Sequence, residues 1–246
     1  MARRRVNPAE VTLRPWTLRD TEPLTRLGDD RNIWRNLRDR FPRPFTTPAA
    51  DLWLGEHIDD DDVINWSQKS FAIWWREQLT GGVHLKRREN EHRICADLTF
   101  WVGRPFWGQG IATAAVRAAT AYAFDVLLGL ERVQTFVFDW TAESTRVPEG
   151  PGYAEAARVL ENAGYTLEGR LRHYALKDEL YGDALLYALL RVGVPTRRSG
   201  SEIGHSVAAP EAARSSRGRG GRGSTSRVSV AGRHPRLPPG RVTIRG

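Results

Sequence analysis

Apolar residues recur along this chain with two different periods, and the period changes from one segment to the next. Alternation, or a short run of β-branched and aromatic residues, predicts a strand, whereas recurrence every three or four residues predicts an amphipathic helix. We predict strands at residues 11–15, 70–77, 93–102, 132–139, 166–177 and 183–191. Helices are predicted at residues 17–28, 32–40 and 154–162. Two further helices are predicted to begin at residues 47 and 111, and the one that begins at residue 47 ends near four aspartates at 59–62.

Glycine and proline mark the predicted connections. Gly81-Gly82 predicts a turn into a strand that begins at Val83, and residues 179–182 are predicted to join the last two strands. Residues 140–152, rich in Pro and Gly, predict a long loop, and Gly164 is placed to end the following helix. Strands joined by tight turns, followed by strands separated by helices, indicate an α/β (α+β) domain with a mixed, mostly antiparallel central sheet flanked by helices.

The strand at 93–102 leads into a glycine turn and then into the alanine-rich helix that begins at Ile111. The first N–H groups of a helix have no partner inside it and the helix dipole is positive there, so this turn can hold a phosphate. Gly108 and Gly110 carry no Cβ and allow close backbone approach. The turn lacks the third glycine of a dinucleotide-binding fingerprint and the Gly-Lys-Ser/Thr ending of a P-loop, which excludes both motifs.

Residues 101–113, Trp-Val-Gly-Arg-Pro-Phe-Trp-Gly-Gln-Gly-Ile-Ala-Thr, resemble the acetyl-CoA-binding motif of the GNAT N-acetyltransferases. The branch that they resemble includes the ribosomal-protein Nα-acetyltransferases. Order and spacing match, with Gln109 in place of a basic residue and Ala114 in place of an acidic one. The resemblance covers nearly all of residues 11–191 and includes Arg-Val-Leu-Glu-Asn-Ala-Gly-Tyr at 158–165.

This resemblance implies a GNAT-type domain with acetyl-CoA as co-substrate. In the family, the turn holds the pyrophosphate, and a backbone N–H in the preceding strand polarises the acetyl carbonyl. Trp101 or Val102 would supply that N–H here. The expected cofactor-binding residues are Trp101, Val102, Trp107, Gly108, Gln109, Gly110, Ile111, Ala112 and Thr113.

Acetyl transfer to an amine needs a general base, because an amine near neutral pH is mostly protonated. Asp97 lies in the strand before the turn, where the branch commonly has a glutamate, and is the expected catalytic base. The alternative is a structural ion pair with an arginine, since an interior carboxylate is usually paired or functional. His84 and His57 are further candidates, although an isolated histidine is more often structural.

The helix after the predicted long loop departs from the family pattern. The branch usually opens it with Asn-x-Ala-Ser, whereas the aligned residues here are Tyr153, Glu155 and Ala156, which follow an apparent insertion. Leu160 occupies the position of the tyrosine that many GNAT enzymes use as general acid. Tyr153 is therefore the second candidate catalytic residue, and packing against the core is its alternative role.

The last fifth of the chain differs in composition from the rest. From Pro195 onward there are 11 arginines and 2 glutamates, with no Phe, Tyr or Trp. Such a segment cannot build a core, so we predict a flexible N-terminus at 1–10, a domain at 11–194 and a disordered Arg/Gly/Ser/Pro-rich tail at 195–246. The chain's net charge is +8 and the tail's is +9, which leaves −1 for residues 1–194.

Cysteine content and hydropathy limit the remaining possibilities. Cys95 is the single cysteine, which excludes an internal disulfide and a Cys-based zinc site, and no metal is expected. No stretch approaches the ~18 apolar residues of a membrane span. We therefore expect a cytoplasmic protein without membrane contact. The aspartates at 59–62 are interpreted either as a solvated loop or as a rim that attracts a cationic acceptor.

These patterns lead to one main functional hypothesis and its alternatives. The main hypothesis is an N-acetyltransferase that moves the acetyl group of acetyl-CoA to a primary amine, the α-amine of a protein N-terminus such as that of a ribosomal protein, by direct attack in a ternary complex. The alternatives are an acetyltransferase for a polyamine or aminoglycoside, and a weakly catalytic acyl-CoA-binding protein. Contact of the basic tail with nucleic acid or the ribosome is a separate hypothesis.

Overall fold

The computed structural model describes residues 7–58, 67–140, 153–191 and 244–245. The aspartates at 59–62, residues 141–152 of the predicted loop, and the tail apart from residues 244–245 lie outside these ranges, so the hypotheses about them stay predictions. Among the described residues, no helix has the length and hydrophobicity needed to cross a bilayer.

The strands are β1 (Val11–Pro15), β2 (Gln68–Trp75), β3 (Gln78–Arg87), β4 (Cys95–Val102), β5 (Arg132–Asp139), β6 (Thr166–Lys177), β7 (Leu180–Leu190) and β8 (Ile244–Arg245). The helices are α1 (Thr21–Gly28), α2 (Arg31–Trp34), α3 (Thr47–His57), α4 (Ile111–Val126) and α5 (Tyr153–Ala163).

All eight strands form one sheet in the order β6-β7-β5-β4-β3-β2-β1-β8. Every neighbouring pair is antiparallel except β4 and β5, which are parallel. A parallel pair needs a crossover connection, and α4 supplies it between β4 and β5. The predicted fold class, a mixed and mostly antiparallel sheet flanked by helices, is confirmed.

The predicted turn at Gly81-Gly82 is wrong, because both glycines lie inside β3. The turn is made instead by Arg76 and Glu77, whose φ angles of 49° and 60° fit a two-residue hairpin loop. A Cβ on Gly81 would lie 2.1 Å from the Trp101 carbonyl oxygen. Glycine is required at this position because the backbone of β4 lies too close for a side chain, and not because the chain turns there.

The connection between the last two strands shows the same error. The residues with positive φ are Asp178 (49°) and Glu179 (62°), so β7 already begins at Leu180. Gly182 lies inside β7, where a Cβ would come within 2.5 Å of the Trp140 ring. By contrast, Gly164 ends α5 with φ of 97°, as predicted.

The helix predicted at 32–40 is also wrong, because α2 ends at Trp34. The Trp34 carbonyl accepts a hydrogen bond from the Leu37 N–H (3.1 Å), three residues later rather than four, so the chain tightens into a turn. Lys177 Nζ also donates to the carbonyls of Trp34 (2.5 Å) and Leu37 (2.6 Å). A lysine that is 143 residues from Trp34 in sequence therefore stabilises the end of this helix.

The sheet carries a hydrophobic core on each face. On one face α4 and α5 pack against the sheet through small and aliphatic side chains, and Leu160 is fully buried there. On the other face α1 and α3 enclose an aromatic core, whose members include Trp16, Phe41, Phe45, Trp53 and Trp101. Trp53 and Trp101 are both buried in this aromatic core.

His84 borders the aromatic core, and its Nδ1 is buried without a hydrogen-bond partner among the described residues. The centroid of its ring lies 5.5 Å from that of His57, which stacks on Trp53 at 3.7 Å. Burial, and then the nearby His57, Arg38 and Lys86, lower the pKa of His84 to about 4. His84 is therefore a neutral imidazole near pH 7.

The depressed pKa of His84 predicts a loss of stability in acid. The unfolded histidine takes up its proton near its usual pKa of 6.5 and the folded one only near 4, so the free energy of unfolding falls as the pH drops through this window. Between about pH 7.5 and about pH 5, the free energy of unfolding measured with urea should fall by roughly 2 kcal/mol more in the wild type than in His84→Gln.

The exposed His92 provides the control, because 56 % of its side chain is accessible. His92→Gln should keep the wild-type dependence on pH. An identical loss of stability in His84→Gln and in the wild type would contradict the assignment of a buried, neutral His84.

Candidate active site

The site begins where the two parallel strands separate. β4 and β5 pair only at Cys95–Asp97 with Arg132–Gln134, and beyond Asp97 the two strands diverge. β4 continues beside β3, and β5 continues beside β7. The gap between them opens into a cavity of about 990 Å³, which is also lined by α2 and by the starts of α4 and α5.

The backbone of β4 directs N–H groups into this gap. The Gly103 N–H donates to the Thr80 carbonyl of the neighbouring chain segment (2.7 Å), and the register between β3 and β4 is uninterrupted. Backbone groups alternate in direction along a strand, so the Val102 N–H points away from β3 and toward the gap, whereas that of Trp101 points toward β3. Of the two expected donors, Val102 has the suitable orientation.

The glycine turn forms the second part of the site. Gly108 and Gly110 have φ angles of 71° and 90°, which favour glycine. Gly110 caps α4 without a side-chain hydrogen bond, and the first turn of α4 contains no acidic residue. A Cβ on Gly110 would meet no atom of the described chain within 4 Å, so the space beside it is open. An anionic group such as a pyrophosphate therefore fits this end of the cavity.

Two hydrogen bonds fix the shape of the turn. Trp107 Nε1 donates to the Val102 carbonyl (2.5 Å), which ties the turn to the end of β4. Gln109 Nε2 donates to the Pro105 carbonyl (3.1 Å) and closes the turn on itself. Gln109, which replaces a basic residue of the family motif, thus has a structural contact here.

Two arginines add positive charge near the turn. Arg117 of α4 and Arg158 of α5 both line the cavity, and Arg117 also donates to the Asn162 carbonyl of α5. They complement the negative charge of the acetyl-CoA phosphates. From the sequence, we expected the glycine turn alone to bind these phosphates. Arg117 was detectable in principle, because it is the one charged residue of α4 apart from Asp125.

Asp97 lies at the point where β4 and β5 separate, and its side chain is 18 % exposed. Its Oδ1 accepts a hydrogen bond from Gln134 Nε2 (3.0 Å), while Gln134 Oε1 accepts one from Arg132 Nε (2.8 Å). Arg132 in turn pairs with Glu168. The second oxygen, Oδ2, is 3.9 Å from Arg38 Nη2, which is too far for a hydrogen bond. Asp97 is thus oriented by an amide at Oδ1, and its Oδ2 makes only a long ion pair with Arg38.

Tyr153 lies at the first residue of α5 and lines the same cavity, with 36 % of its surface exposed. A side chain packed against the core would be buried, so this exposure argues against the alternative role of Tyr153. All the residues predicted for the site, from Asp97 to Thr113 and Tyr153, lie around one cavity. His84 is absent from the described lining of that cavity, and His57 is as well.

A further wall of the cavity had no signal in the sequence. It consists of residues from the segment around α2 and from two strands, namely Asn32, Ile33, Asn36, Leu37, Arg38, Phe136 and Tyr174. Phe136 and Tyr174 stack with their centroids 5.0 Å apart. These residues come from three distant parts of the chain, so only the folded sheet brings them together.

Comparison with known proteins assigns the chain to a family. A family model described as an acetyltransferase (GNAT) domain matches residues 10–154. A protein provisionally named ribosomal N-acetyltransferase YdaF, from Bacillus subtilis (strain 168), is 31 % identical over 113 residues. That match spans 46 % of this chain and only 54 % of the relative, about half its length.

Solved structures share the fold at low sequence identity. RimJ of Mycobacterium smegmatis, in complex with a CoA disulfide, superposes with a TM-score of 0.60 at 22 % identity, over 76 % of this chain and 86 % of that one. Spermidine N-acetyltransferase of Vibrio cholerae, in complex with CoA and spermine, gives 0.56 at 22 % identity, over 74 % and 96 %. Because the family model matches more than half of its residues, the chain belongs to the GNAT family of acetyltransferases, which confirms the family, the enzyme class and the acetyl-CoA co-substrate that the motif predicted.

Proposed function

We propose that this protein acetylates the α-amine at the amino terminus of a polypeptide. The charge of the cavity carries the proposal: its described lining contains two carboxylates, Asp97 and Glu155, and three arginines, Arg38, Arg117 and Arg158. A polyamine or an aminoglycoside has several positive charges and requires a cluster of carboxylates, whereas a peptide α-amine requires only one. The 31 % identity with a protein named for ribosomal N-acetylation supports the same choice.

The proposed reaction uses one group from each side of the gap. Bound acetyl-CoA supplies the thioester carbonyl that the amine attacks. The Val102 N–H donates to the carbonyl oxygen as negative charge develops there, and Asp97 accepts the proton that the amine loses, directly or through a water. Tyr153 then supplies the proton that the departing thiolate takes up. The N–C bond forms as the C–S bond breaks, and the proton that Asp97 gains equals the one that Tyr153 gives up. Transfer of a proton from Asp97 to the Tyr153 phenolate through solvent restores both groups.

Two further parts of the hypothesis rest on the sequence. The tail has a charge of +9, which suits contact with ribosomal RNA or another nucleic acid. The cytoplasmic location that the sequence predicts belongs to the same proposal, because ribosomal proteins are made there.

The glycine turn can be tested with a matched pair of substitutions. Gly110 (φ 90°) and Gly129 (φ 72°) both have positive φ and open space around them, but only Gly110 lines the cavity. Each change to aspartate should cost about 1 kcal/mol of stability, because a side chain disfavours this backbone conformation. Only Gly110→Asp places a carboxylate next to the expected phosphates, so calorimetry should show CoA affinity at least about tenfold weaker in that variant alone. Equal affinity in the two variants would disprove the assignment.

The role of Asp97 as base predicts a loss of rate without a loss of cofactor binding. Asp97→Asn keeps an oxygen for Gln134 but removes basicity, so kcat/KM for a peptide acceptor should fall by roughly 10²- to 10⁴-fold. The Kd for acetyl-CoA should change little. Asp125→Asn, an exposed carboxylate of α4, is the control and should leave the rate unchanged. If Asp97 is purely structural, Asp97→Asn should instead lower the melting temperature and leave the turnover per folded molecule unchanged.

A further inference from the structure

Five arginines are concentrated beside the cavity within 13 residues. They are Arg31, Arg35, Arg38, Arg40 and Arg43, and we call residues 31–43 the arginine segment. All of them are exposed except Arg35, which is half-buried. The domain as a whole carries a charge of about −1, so this concentration is not a consequence of composition.

Carboxylates around the arginine segment only partly neutralise it. Arg31 pairs with Asp178 (3.1 Å), and Asp39 lies 3.4 Å from the buried Lys177. The segment and its ion-pair partners include six cations (the five arginines and Lys177) and three carboxylates (Asp39, Asp97 and Asp178). Burial, and then the nearby Arg31, lower the pKa of Arg35, while Asp178 acts in the opposite direction.

Asp29 and Asp30 lie just before the segment, but their carboxylates have other partners. Asp29 accepts a hydrogen bond from the Phe45 N–H (3.1 Å), and Asp30 accepts one from the Asn32 N–H (2.8 Å) and caps α2. Both carboxylates still carry negative charge, so with them the count is six cations against five carboxylates, and a small excess of positive charge remains.

The segment is held against the cavity, so its charges have defined positions. Lys177 fixes the carbonyls of Trp34 and Leu37, and its Nζ also lies 3.9 Å from the centre of the Trp34 ring. Arg38 follows directly and lines the cavity, with 59 % of its side chain exposed. A fixed backbone reduces the entropy lost when such a side chain binds a ligand.

Arg38 and Asp97 thus present opposite charges 3.9 Å apart on one wall of the cavity. A surface pair at this distance contributes little to stability, and both groups are accessible to a ligand. A molecule with an amine and a nearby carboxylate would complement them, because each charge would meet its opposite.

We propose that the acceptor is an acidic peptide amino terminus, whose amine is received at Asp97 while Arg38 binds a carboxylate within the next few residues. The other arginines of the segment attract acidic side chains that follow. This inference rests on the proposed acetylation of peptide α-amines and specifies which peptides are preferred. A nucleic acid would be attracted by the same charges, but the exocyclic amines of its bases are poor nucleophiles.

The experiment compares the full-length protein with peptides that begin with the same serine and continue with glutamates, glutamines or lysines. The acidic peptide should have a kcat/KM about tenfold above that of the lysine peptide at about 0.05 M NaCl, and the ratio should shrink at about 0.5 M because salt screens exposed charges. Arg38→Glu should reduce or invert the preference, by about threefold to tenfold in the ratio. Arg19→Glu, an exposed arginine outside the described cavity lining, should not change it.

Several results would overturn the inference. Equal kcat/KM for the three peptides, an unchanged preference in Arg38→Glu, or inhibition of all peptides alike by a short oligonucleotide would each assign the arginine segment another role. In these cases peptide acetylation itself still stands. If spermidine is acetylated and no peptide is, the proposed function fails, and this inference fails with it.

Discussion

The short parallel pairing between β4 and β5 is the constraint on which the site depends. Backbone N–H and C=O groups must find partners, and beyond Asp97 those of β4 that face β5 have lost the neighbouring strand. This is costly for a sheet but useful for an enzyme, because the donors are already oriented when a ligand enters. The same divergence places Asp97 at its vertex and leaves α4 to begin at the open end, where its N-terminus faces the gap.

The parts of the fold that depend on local sequence were predictable. The run from Trp101 to Thr113 determines a strand end, a turn and a helix start within a few residues, and the motif is recognisable for that reason. Gly81 and Gly182 were misplaced because the sequence does not reveal why a glycine is needed. A Cβ at either position would clash with a residue distant in sequence, Trp101 or Trp140, so neither glycine serves a turn. The early end of α2 depends on Lys177 and is likewise invisible locally.

The candidate site was predictable in its cofactor half and much less so in its acceptor half. Family motifs contain the first half in one continuous stretch, whereas the second half combines Arg38, Phe136 and Tyr174 from separate elements. The uneven charge adds to the difficulty. A net charge near zero for residues 1–194 conceals arginines at both ends of one cavity, at Arg38 on one side and at Arg117 and Arg158 on the other.

The position of Lys177 also concerns the enzyme's own chemistry. It is a primary amine near the acceptor wall of a protein that acetylates amines, so self-modification would be a hazard. Its nitrogen donates to two carbonyls, faces the Asp39 carboxylate and is largely shielded from solvent. Burial lowers the pKa of Lys177, but this residue is absent from the described lining of the cavity, so a thioester bound there does not reach its nitrogen. The contacts that end α2 therefore also protect the enzyme from becoming its own substrate at this lysine.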